Sequence, residues 1–253
     1  MAAILLEHPL DELTGNFLRV ETLFSRVDVL INRFFPIDHH FCLLTLLEIA
    51  ELEDQFDLNT QILNQLDDQK KKLNGFKGNP HVAESVLNDL LAKVDHHSIA
   101  LRSQKKKLAH FIADDEWLFK LRDRMALPGG TSPFDAPRYF AWQHRSGEDR
   151  REDLLEWLQL FLPLRDSVGF LMEMMRGTAQ VSRQIAKGGE FRQSLPQGRC
   201  KLVQIWVDPK LKATPEVQGN KLMVTIRFLD RGPKGQTSAC LDDIPFELGL
   251  ITA

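Results

Sequence analysis

Apolar residues recur at intervals of three and four along the first two thirds of the chain. After Pro9, which suits the first turn of a helix, they form one continuous stripe. Its members are Leu10, Leu13, Phe17, Val20, Phe24, Val27, Ile31 and Phe34. This spacing places them on one face of an α-helix, which cannot continue through Pro36. The pattern therefore predicts a long amphipathic helix that ends near Pro36.

The next segment, FCLLTLLEIA from Phe41 to Ala50, is apolar on nearly every side. A helix without a polar face is typically buried, so we expect this one at the centre of the helical domain. Two further stripes follow, Ile62, Leu66, Leu73 and Phe76 in the first and Ala83, Leu87, Leu90, Val94 and Leu101 in the second. The short Gly/Pro loop between them predicts an antiparallel helix hairpin.

A fifth helix is predicted from about residue 105 to 125, and a break follows it. The segment LPGGTSPFDAP, residues 127–137, contains too many prolines and glycines to continue a helix, so it predicts an ordered loop or hinge. Helical spacing resumes over residues 148–176, where Pro163 should divide the helix into two pieces. The first two thirds of the chain thus read as a multi-helix domain.

From about Gly188 onward the apolar period changes to two. Residues 200–209, 221–230 and 241–250 are rich in β-branched and aromatic residues and predict antiparallel strands. The segments KATPEVQGN and RGPKGQ between them are interpreted as turns, and the N-terminal AILLEH can add a strand.

These patterns together predict an α+β fold, with a multi-helix domain of long antiparallel helices and a small antiparallel β-sheet domain. We place the helical domain at residues 9–178. The β domain then consists of residues 1–8 with 179–253.

Composition narrows the function classes. The chain has 253 residues, 43% hydrophobic and 26% charged, with a formal net charge of −3. These values suit an ordinary globular protein and disfavour a general nucleic-acid or membrane-surface protein, which carries a basic excess. No segment resembles a signal peptide or reaches membrane-spanning length, and three distant cysteines are typical of a reducing compartment. We expect a cytoplasmic protein without membrane contact.

Residues that could carry chemistry lack the partners that chemistry needs. The pairs His39-His40 and His96-His97 cannot turn both rings toward one metal ion on a helix, so His97 is interpreted as a satisfied interface histidine. The acidic clusters, at residues 67–68, 114–116 and 242–243, are interpreted as solvated faces. Nucleophile-elbow, phosphate-loop and dinucleotide motifs are absent from the sequence. We expect no enzyme activity, no cofactor and no metal.

Basic residues offer two hypotheses. The runs Lys70-Lys71-Lys72 and Lys105-Lys106-Lys107 could bind phosphates, which gives the alternative of a nucleic-acid-binding helical module, although a solubilising helix face is favoured. Arg19, Arg26 and Arg33 are spaced by seven and would line one ridge of the first helix. That ridge fits either a solvated face or a docking surface for an acidic partner.

The strand at residues 221–230 has two distinct faces. Alternation places Lys221, Met223, Thr225 and Arg227 on one face, and Leu222, Val224, Ile226 and Phe228 on the other. We expect the second face to pack inward and the first to be free to bind a partner.

Five segments in order along the chain resemble the ZapD family, the Z-ring-associated protein D group of cell-division proteins. They are LLEHPL at 5–10, FLRVE at 17–21, LDDQKKKL at 66–73, LPGG with SPFDAP at 127–137, and GNKLMVTIRF at 219–228. The resemblance implies a homodimer, located at midcell, that binds the C-terminal tail of FtsZ. As a dimer it would crosslink and bundle FtsZ filaments and so stabilise the Z ring during septation.

The resemblance also implies the residues that contact the tail. Arg19, Lys221 and Arg227 occupy matching motif positions, and we add Arg26 from the same helical ridge. The chain departs from the family pattern at Glu116 and Met223, where some relatives carry basic residues, and at Phe140, where a polar residue is replaced.

Overall fold

The structure is a computed structural model that describes residues 3–104, 107–195, 200–211, 213–220, 222–231 and 237–252. The chain divides into two compact units, which we call the β unit (residues 1–18 with 172–253) and the helical unit (residues 19–171). Whether residues 9–178 fold as a domain separate from 1–8 with 179–253 stays a prediction.

Helices and antiparallel strands are both present, which confirms the α+β class. The helices are α1 (Glu12–Leu30), α2 (Pro36–Phe56), α3 (Leu58–Asn74), α4 (Glu84–Ser103), α5 (Leu108–Asp114), α6 (Glu116–Met125), α7 (Pro137–Gln143), α8 (Gly147–Gln159) and α9 (Leu162–Arg176). The strands are β1 (Ile4–Pro9), β2 (Gln180–Ala186), β3 (Glu190–Ser194), β4 (Cys200–Val207), β5 (Ala213–Gly219), β6 (Met223–Arg231), β7 (Thr237–Ala239) and β8 (Ile244–Thr252).

The apolar stripe of α1 is buried as predicted, but the helix is shorter than the stripe. Phe17, Val20 and Val27 are at most 1% exposed. The helix ends at Leu30, and Phe34, the last member of the predicted stripe, is 54% exposed. The chain therefore leaves the helix about one turn before Pro36, and residues 31–35 connect α1 to α2.

Helix α2 is the enclosed helix that the sequence predicted. Pro36 stands at its first position and Phe35 is its N-cap, without a capping side chain. Its buried residues lie on nearly all sides of the helix and are His39, Cys42, Leu43, Thr45, Leu46, Leu47, Ile49, Ala50 and Glu53. A helix buried all round contributes to every neighbouring interface.

Helices α3 and α4 form the predicted antiparallel hairpin. Ion pairs connect Lys70 to Asp95 at 2.5 Å and Arg102 to Asp67 at 3.2 Å, so residue numbers rise along one helix as they fall along the other. Ile62, Leu66 and Leu73 on α3 are buried, as are Leu87, Leu91, Val94 and Leu101 on α4.

The single helix predicted for residues 105–125 is wrong, because two short helices, α5 and α6, occupy this region. Asp115 lies between them with extended backbone, and its side chain accepts hydrogen bonds from the amides of Trp117 and Leu118. Aspartate competes with the helix in this way and starts a new one. The interpretation of Asp115 as part of a solvated acidic face is therefore incomplete, because its carboxylate is an N-cap.

The β unit contains two sheets that share one core. Their strand orders are β1-β4-β8-β2 and β3-β6-β5, with β7 also pairing with β6. Side chains from both sheets form the core, and the rings of Phe228 on β6 and Phe246 on β8 lie 5.4 Å apart. The strands predicted at residues 3–8, 200–209, 221–230 and 241–250 are confirmed in the described residues.

The interpretation of KATPEVQGN as a turn is wrong, because β5 lies there and pairs with β6 along its whole length. Pro215 lacks an amide hydrogen, which suits β5 because this strand is at a sheet edge. The RGPKGQ segment lies almost entirely outside the described residues. Strands β2 and β3 were not predicted individually, and regular β structure begins at Gln180 rather than near Gly188.

A two-residue turn joins β2 to β3. Gly188 and Gly189 both have positive φ, 56° and 76°, and Lys187 bridges to Glu190 across them. A Cβ atom at Gly189 would lie 2.1 Å from the carbonyl oxygen of Cys240. Glycine is therefore required at this position by both backbone conformation and space.

Candidate partner-binding surfaces

The basic ridge of α1 contains two of the three predicted arginines. Arg19 and Arg26 are exposed on the helix, on the side away from its buried stripe. Arg33 lies beyond the end of α1 at Leu30, so its spacing of seven no longer places it on the ridge. The prediction of a three-arginine ridge is therefore wrong in its third member.

The ion pair of Arg26 is loose enough to be exchanged. Its guanidinium lies 2.9 Å from the carboxylate of Glu48, and both side chains are more than 40% exposed. Exposed ion pairs of this kind stabilise the folded protein by at most about 1 kcal/mol. An acidic partner can therefore compete with Glu48 for Arg26.

The two faces of β6 are confirmed for the described residues. Val224, Ile226 and Phe228 are fully buried, whereas Met223 and Arg227 are exposed. Leu222, which was predicted to face inward, is 56% exposed because it precedes the strand. Lys221 lies outside the described residues, so its role stays a prediction.

Arg227 faces acidic residues on both neighbouring strands. It is in register with Glu190 on β3 and Glu216 on β5, and its Nε lies 3.4 Å from the Glu190 carboxylate. Arg192 donates to the same Glu190 oxygen at 2.8 and 3.0 Å. The outer face of this sheet is therefore a mixed-charge surface, rather than a uniformly basic one.

The pKa of Glu190 responds to both arginines. Hydrogen bonding from Arg192 is the largest effect, and with Arg227 it keeps the Glu190 pKa below its usual value. Glu190 is therefore ionised at neutral pH and shared between two guanidinium groups. Sequence reasoning missed Arg192 because β3 was not recognised, although the alternating EFRQS segment carries a strand signal.

A groove of about 500 Å³ lies in the helical unit between α6 and the loop at residues 127–137. Its apolar lining includes Trp117, Leu121, Leu127 and Tyr139, and its charged lining consists of Lys120, Arg124, Arg138, Asp123 and Asp135. Apolar walls with a few charged groups at the rim are typical of a site for an apolar side chain of a peptide or small molecule.

The PGG segment of the loop forms a tight turn against the end of α6, next to this groove. Gly129 has a φ of 71°, and a Cβ at Gly130 would lie 2.2 Å from the carbonyl oxygen of Arg124. Ser132 donates to Asp135 at 2.7 Å, and Asp135 also lies 3.7 Å from Arg124. The unusual sequence of the loop is thus explained by a tight turn against the end of α6.

The departures at Glu116 and Phe140 have visible consequences. Glu116 accepts from Lys120 at 2.5 Å, and this hydrogen bond lowers the Glu116 pKa. Phe140 is 40% exposed, and its ring centroid lies 4.3 Å from that of His144. Glu116 therefore forms an ion pair with Lys120, a cation that lines the groove.

A buried arginine organises one end of the helical unit. Arg150 is 3% exposed and donates to His39 Nδ1 at 3.1 Å, to the Phe34 carbonyl at 2.7 Å and to the Gln143 carbonyl at 2.9 Å. It also donates to the carbonyl of Arg145. One side chain therefore fixes the α1–α2 connection to the α7–α8 connection.

Three of the four paired histidines contact other side chains of the protein. His39 accepts from Arg150, and His40 lies 2.5 Å from the Tyr139 hydroxyl. The rings of His97 and Phe170 are stacked with centroids 4.8 Å apart, which agrees with the interface interpretation, and burial lowers the pKa of His97. Within the described residues, histidine, cysteine and acidic side chains form no group of three or more that could bind a metal ion.

Three of the four lysines that the structure describes in the two runs pair with carboxylates. Lys70 pairs with Asp95 at 2.5 Å, Lys71 with Asp68 at 3.0 Å and Lys107 with Asp57 at 3.0 Å. Lys105 and Lys106 lie outside the described residues. Among the described residues, no helix is long and apolar enough to cross a membrane.

Comparison with known proteins identifies the family. The profile of ZapD, described as a cell division protein, matches residues 18–227. The chain belongs to the ZapD family. It is 36% identical over 248 residues to the cell division protein ZapD of Ralstonia nicotianae, covering 98% of each chain.

Two further ZapD proteins are similar over the same span. Those of Ralstonia pickettii and Cupriavidus metallidurans are 35 and 34% identical, again over 98% of each chain. The sequence resemblance is thereby confirmed. Every candidate surface described above, including both lysine runs, lies largely or wholly within the matched range of the ZapD profile, residues 18–227.

Proposed function

We propose that this ZapD-family chain is a non-enzymatic adaptor that binds the C-terminal tail of FtsZ and, as a homodimer, crosslinks FtsZ filaments in the cytoplasm at midcell. The observation that carries the proposal is the match to the cell division protein ZapD along the whole chain. Exposed arginines at the family-motif positions Arg19 and Arg227 support it.

Electrostatics favours a short acidic segment as the ligand. Arg26 and Arg227 are both exposed and both paired with surface carboxylates, Glu48 and Glu190. A carboxylate of a partner can replace either one without leaving a buried charge unpaired. Lys221 precedes β6 and would add a further cation to the same set.

The groove in the helical unit suits an apolar residue of the tail. Trp117 and Leu121 are among its apolar lining residues, and the lining residues Arg124 and Arg138 are exposed. A peptide with both an apolar anchor and acidic residues would use these two kinds of contact together.

Crosslinking follows from valency rather than from tight individual contacts. Two copies related by two-fold symmetry offer two tail sites, and a filament offers many tails. Once one site is occupied, the second encounters a high effective concentration of tails, which can raise avidity about 10²–10⁴-fold. Weak tail contacts are therefore sufficient for bundling, and no bond chemistry or cofactor is required.

The nucleic-acid alternative receives little support from the described lysines. Lys70, Lys71 and Lys107 each lie within 3.0 Å of a carboxylate. These pairs are as exposed as those of Arg26 and Arg227, so an anion could displace either set, and the net charge of −3 is what favours a protein partner over nucleic acid. A gel shift at low salt is expected to show no complex with DNA or RNA.

A peptide titration tests the proposed contacts. We expect Arg227→Ala and Arg19→Ala each to weaken binding of an FtsZ tail peptide by up to about fivefold, which corresponds to losing one exposed charge contact of at most about 1 kcal/mol. Binding can be followed by calorimetry or fluorescence anisotropy.

Arg183→Ala is a matched control for Arg227→Ala. Arg183 makes a cross-strand pair with Glu247 at 3.4 Å on the other sheet, the same distance as Arg227 to Glu190. Its removal should leave the affinity unchanged. Wild-type affinity in both Arg227→Ala and Arg19→Ala would refute the proposed contacts.

A further inference from the structure

Two arginines on neighbouring strands of the β unit converge on one carboxylate oxygen. Arg192 on β3 donates to Glu190 Oε1 through Nε at 3.0 Å and through Nη2 at 2.8 Å. Arg227 on β6 donates to the same oxygen through Nε at 3.4 Å. We call these three residues the paired-arginine site. It already binds a carboxylate between two guanidinium groups, and the protein itself supplies that carboxylate.

Strand pairing keeps the paired-arginine site on one face of its sheet. Glu190 and Arg192 are two residues apart on β3 and share a face, and Arg227 lies directly across from Glu190 on β6. Phe191, between them, points into the core, where its ring centroid lies 5.3 Å from that of Phe246. A site whose backbone is fixed in this way loses little conformational entropy when it binds a partner.

Both arginines retain donors for a further acceptor. Their contacts with Glu190 use two N–H groups of Arg192 and one of Arg227, which is fewer than a guanidinium carries. The side chains of Arg192 and Arg227 are 58 and 49% exposed, so an acceptor from outside can reach them. A carboxylate that displaces Glu190 can therefore be bound by both arginines at once.

The surrounding charges favour a carboxylate as the incoming group. Planar guanidinium groups match the two oxygens of a carboxylate, and Glu190 shows that the spacing of these two arginines suits one. Glu216 also lies across from Arg227, on β5. Two acidic neighbours repel a phosphate group, with its larger negative charge, more strongly than they repel a carboxylate.

We propose that Arg192 and Arg227 together bind a carboxylate of the partner, and that Glu190 occupies this site in the free protein and is displaced on binding. The inference rests on the proposed function, because the FtsZ tail is the expected source of the carboxylate. It adds Arg192 as a contact residue and makes Glu190 an internal competitor. An ordinary cross-strand ion pair would only stabilise the sheet slightly and would leave the affinity for the tail unchanged.

Glu190→Gln separates these two roles. Glutamine keeps the size of the side chain and an accepting oxygen but removes the charge, so the sheet should still fold. We expect this variant to bind an FtsZ tail peptide about two- to fivefold more tightly, because no internal carboxylate competes. Arg192→Ala should weaken binding by a similar factor, because one guanidinium group of the site is lost. Isothermal titration calorimetry measures both changes.

Glu216→Gln is the matched control. Glu216 is exposed and lies across from Arg227 on the other neighbouring strand, but within the described residues it forms no ion pair with Arg227. Its replacement removes the same charge and should change the affinity by less than about twofold. Equal tightening by the two glutamine variants would overturn the inference, because the loss of any nearby negative charge would then be sufficient.

The peptide can supply a carboxylate from a side chain or from its C-terminus. A peptide with an amidated C-terminus should still bind Glu190→Gln more tightly than wild type if the side chain is bound, and loss of that gain assigns the terminal carboxylate. Unchanged affinity in Glu190→Gln and Arg192→Ala, with Arg227→Ala still weakened, would overturn the inference and leave the proposed function intact. Failure of wild type and of Glu190→Gln to bind the peptide would contradict both.

Discussion

Arginine plays different parts in the two units of this chain. In the helical unit, Arg150 is 3% exposed and donates to three backbone carbonyls and to His39. In the β unit, the side chain of Arg227 is 49% exposed and lies 3.4 Å from Glu190, a carboxylate that Arg192 contacts more closely. One arginine is fully engaged and the other only loosely.

The difference shows how burial separates a structural cation from one that can bind a partner. A buried guanidinium must satisfy its donors within the protein, so its contacts fix the backbone around it. An exposed guanidinium is solvated, contributes little stability and can exchange one carboxylate for another. Exposed, loosely paired cations are therefore better candidates for contacts with a partner than buried ones.

The largest expected effect is on the buried side of the comparison. Arg150→Ala leaves the carbonyls of Phe34, Gln143 and Arg145 without their donor, and we expect the free energy of unfolding to fall by about 3–5 kcal/mol. Urea denaturation measures the change.

Arg151→Ala provides the control for this prediction. Arg151 is next to Arg150 on α8 but only contacts the Asn32 side chain at 3.3 Å on the surface. Its loss should change stability by no more than about 0.5 kcal/mol. Equal destabilisation by the two variants would show that burial does not distinguish them.

A second prediction compares two glycines of similar backbone conformation. Gly189 in the β unit and Gly78 in the helical unit have φ of 76° and 78°. A Cβ at Gly189 meets the Cys240 carbonyl at 2.1 Å, whereas one at Gly78 meets no atom within 4 Å. Thermal unfolding should show that the free energy of unfolding falls by about 1 kcal/mol in Gly78→Ala and by at least about 2–3 kcal/mol in Gly189→Ala. Similar losses of stability in the two variants would mean that the positive φ, and not the contact with the Cys240 carbonyl, determines the cost of the substitution.

The sequence predicts those elements whose periodicity is decided by burial. The stripe of α1, the enclosed α2 and the alternation of β6 each follow from a single buried face, and Val224, Ile226 and Phe228 are fully buried as expected. Exposed or edge elements carry a weaker signal. Strand β5 contains Pro215 and ends at Gly219, so its composition resembles a turn although it pairs along its whole length.

The candidate surfaces are less predictable because they depend on where helices end and on which charges meet. The ridge loses Arg33 because α1 stops at Leu30. Arg150 stands in the highly charged segment EDRRED, which reads as solvated, and only tertiary structure brings the Phe34 carbonyl to it. The residues next to Arg150 in the sequence do not indicate a partner so far away along the chain.

The smallest predicted effect concerns a buried acid in the helical unit. Glu53 is fully buried, and burial raises its pKa, with Asp54 and Asp57 adding to the shift and Lys107 opposing it. This is the reverse of Glu190, whose pKa the exposed arginines lower. An acid with a raised pKa in the folded state loses stability as pH rises above its unfolded pKa.

Glu53→Gln should therefore stabilise the protein at neutral pH, by less than Arg150→Ala destabilises it. The gain should shrink as the pH falls through the range in which unfolded glutamate is protonated, near pH 4. Urea denaturation at pH 7 and pH 4 measures it, with the exposed Glu51→Gln as control. A gain that is the same at both pH values would show that ionisation of Glu53 is not its cause.

Co-sedimentation with FtsZ filaments tests the central claim most directly. The wild-type protein should pellet FtsZ as bundles at low centrifugal force, and it should fail to do so with FtsZ that lacks its C-terminal tail. Filament assembly of both FtsZ forms can be verified by high-speed pelleting in the same experiment. Equal bundling of tailless FtsZ would contradict the account, because crosslinking would then depend on a surface other than the tail.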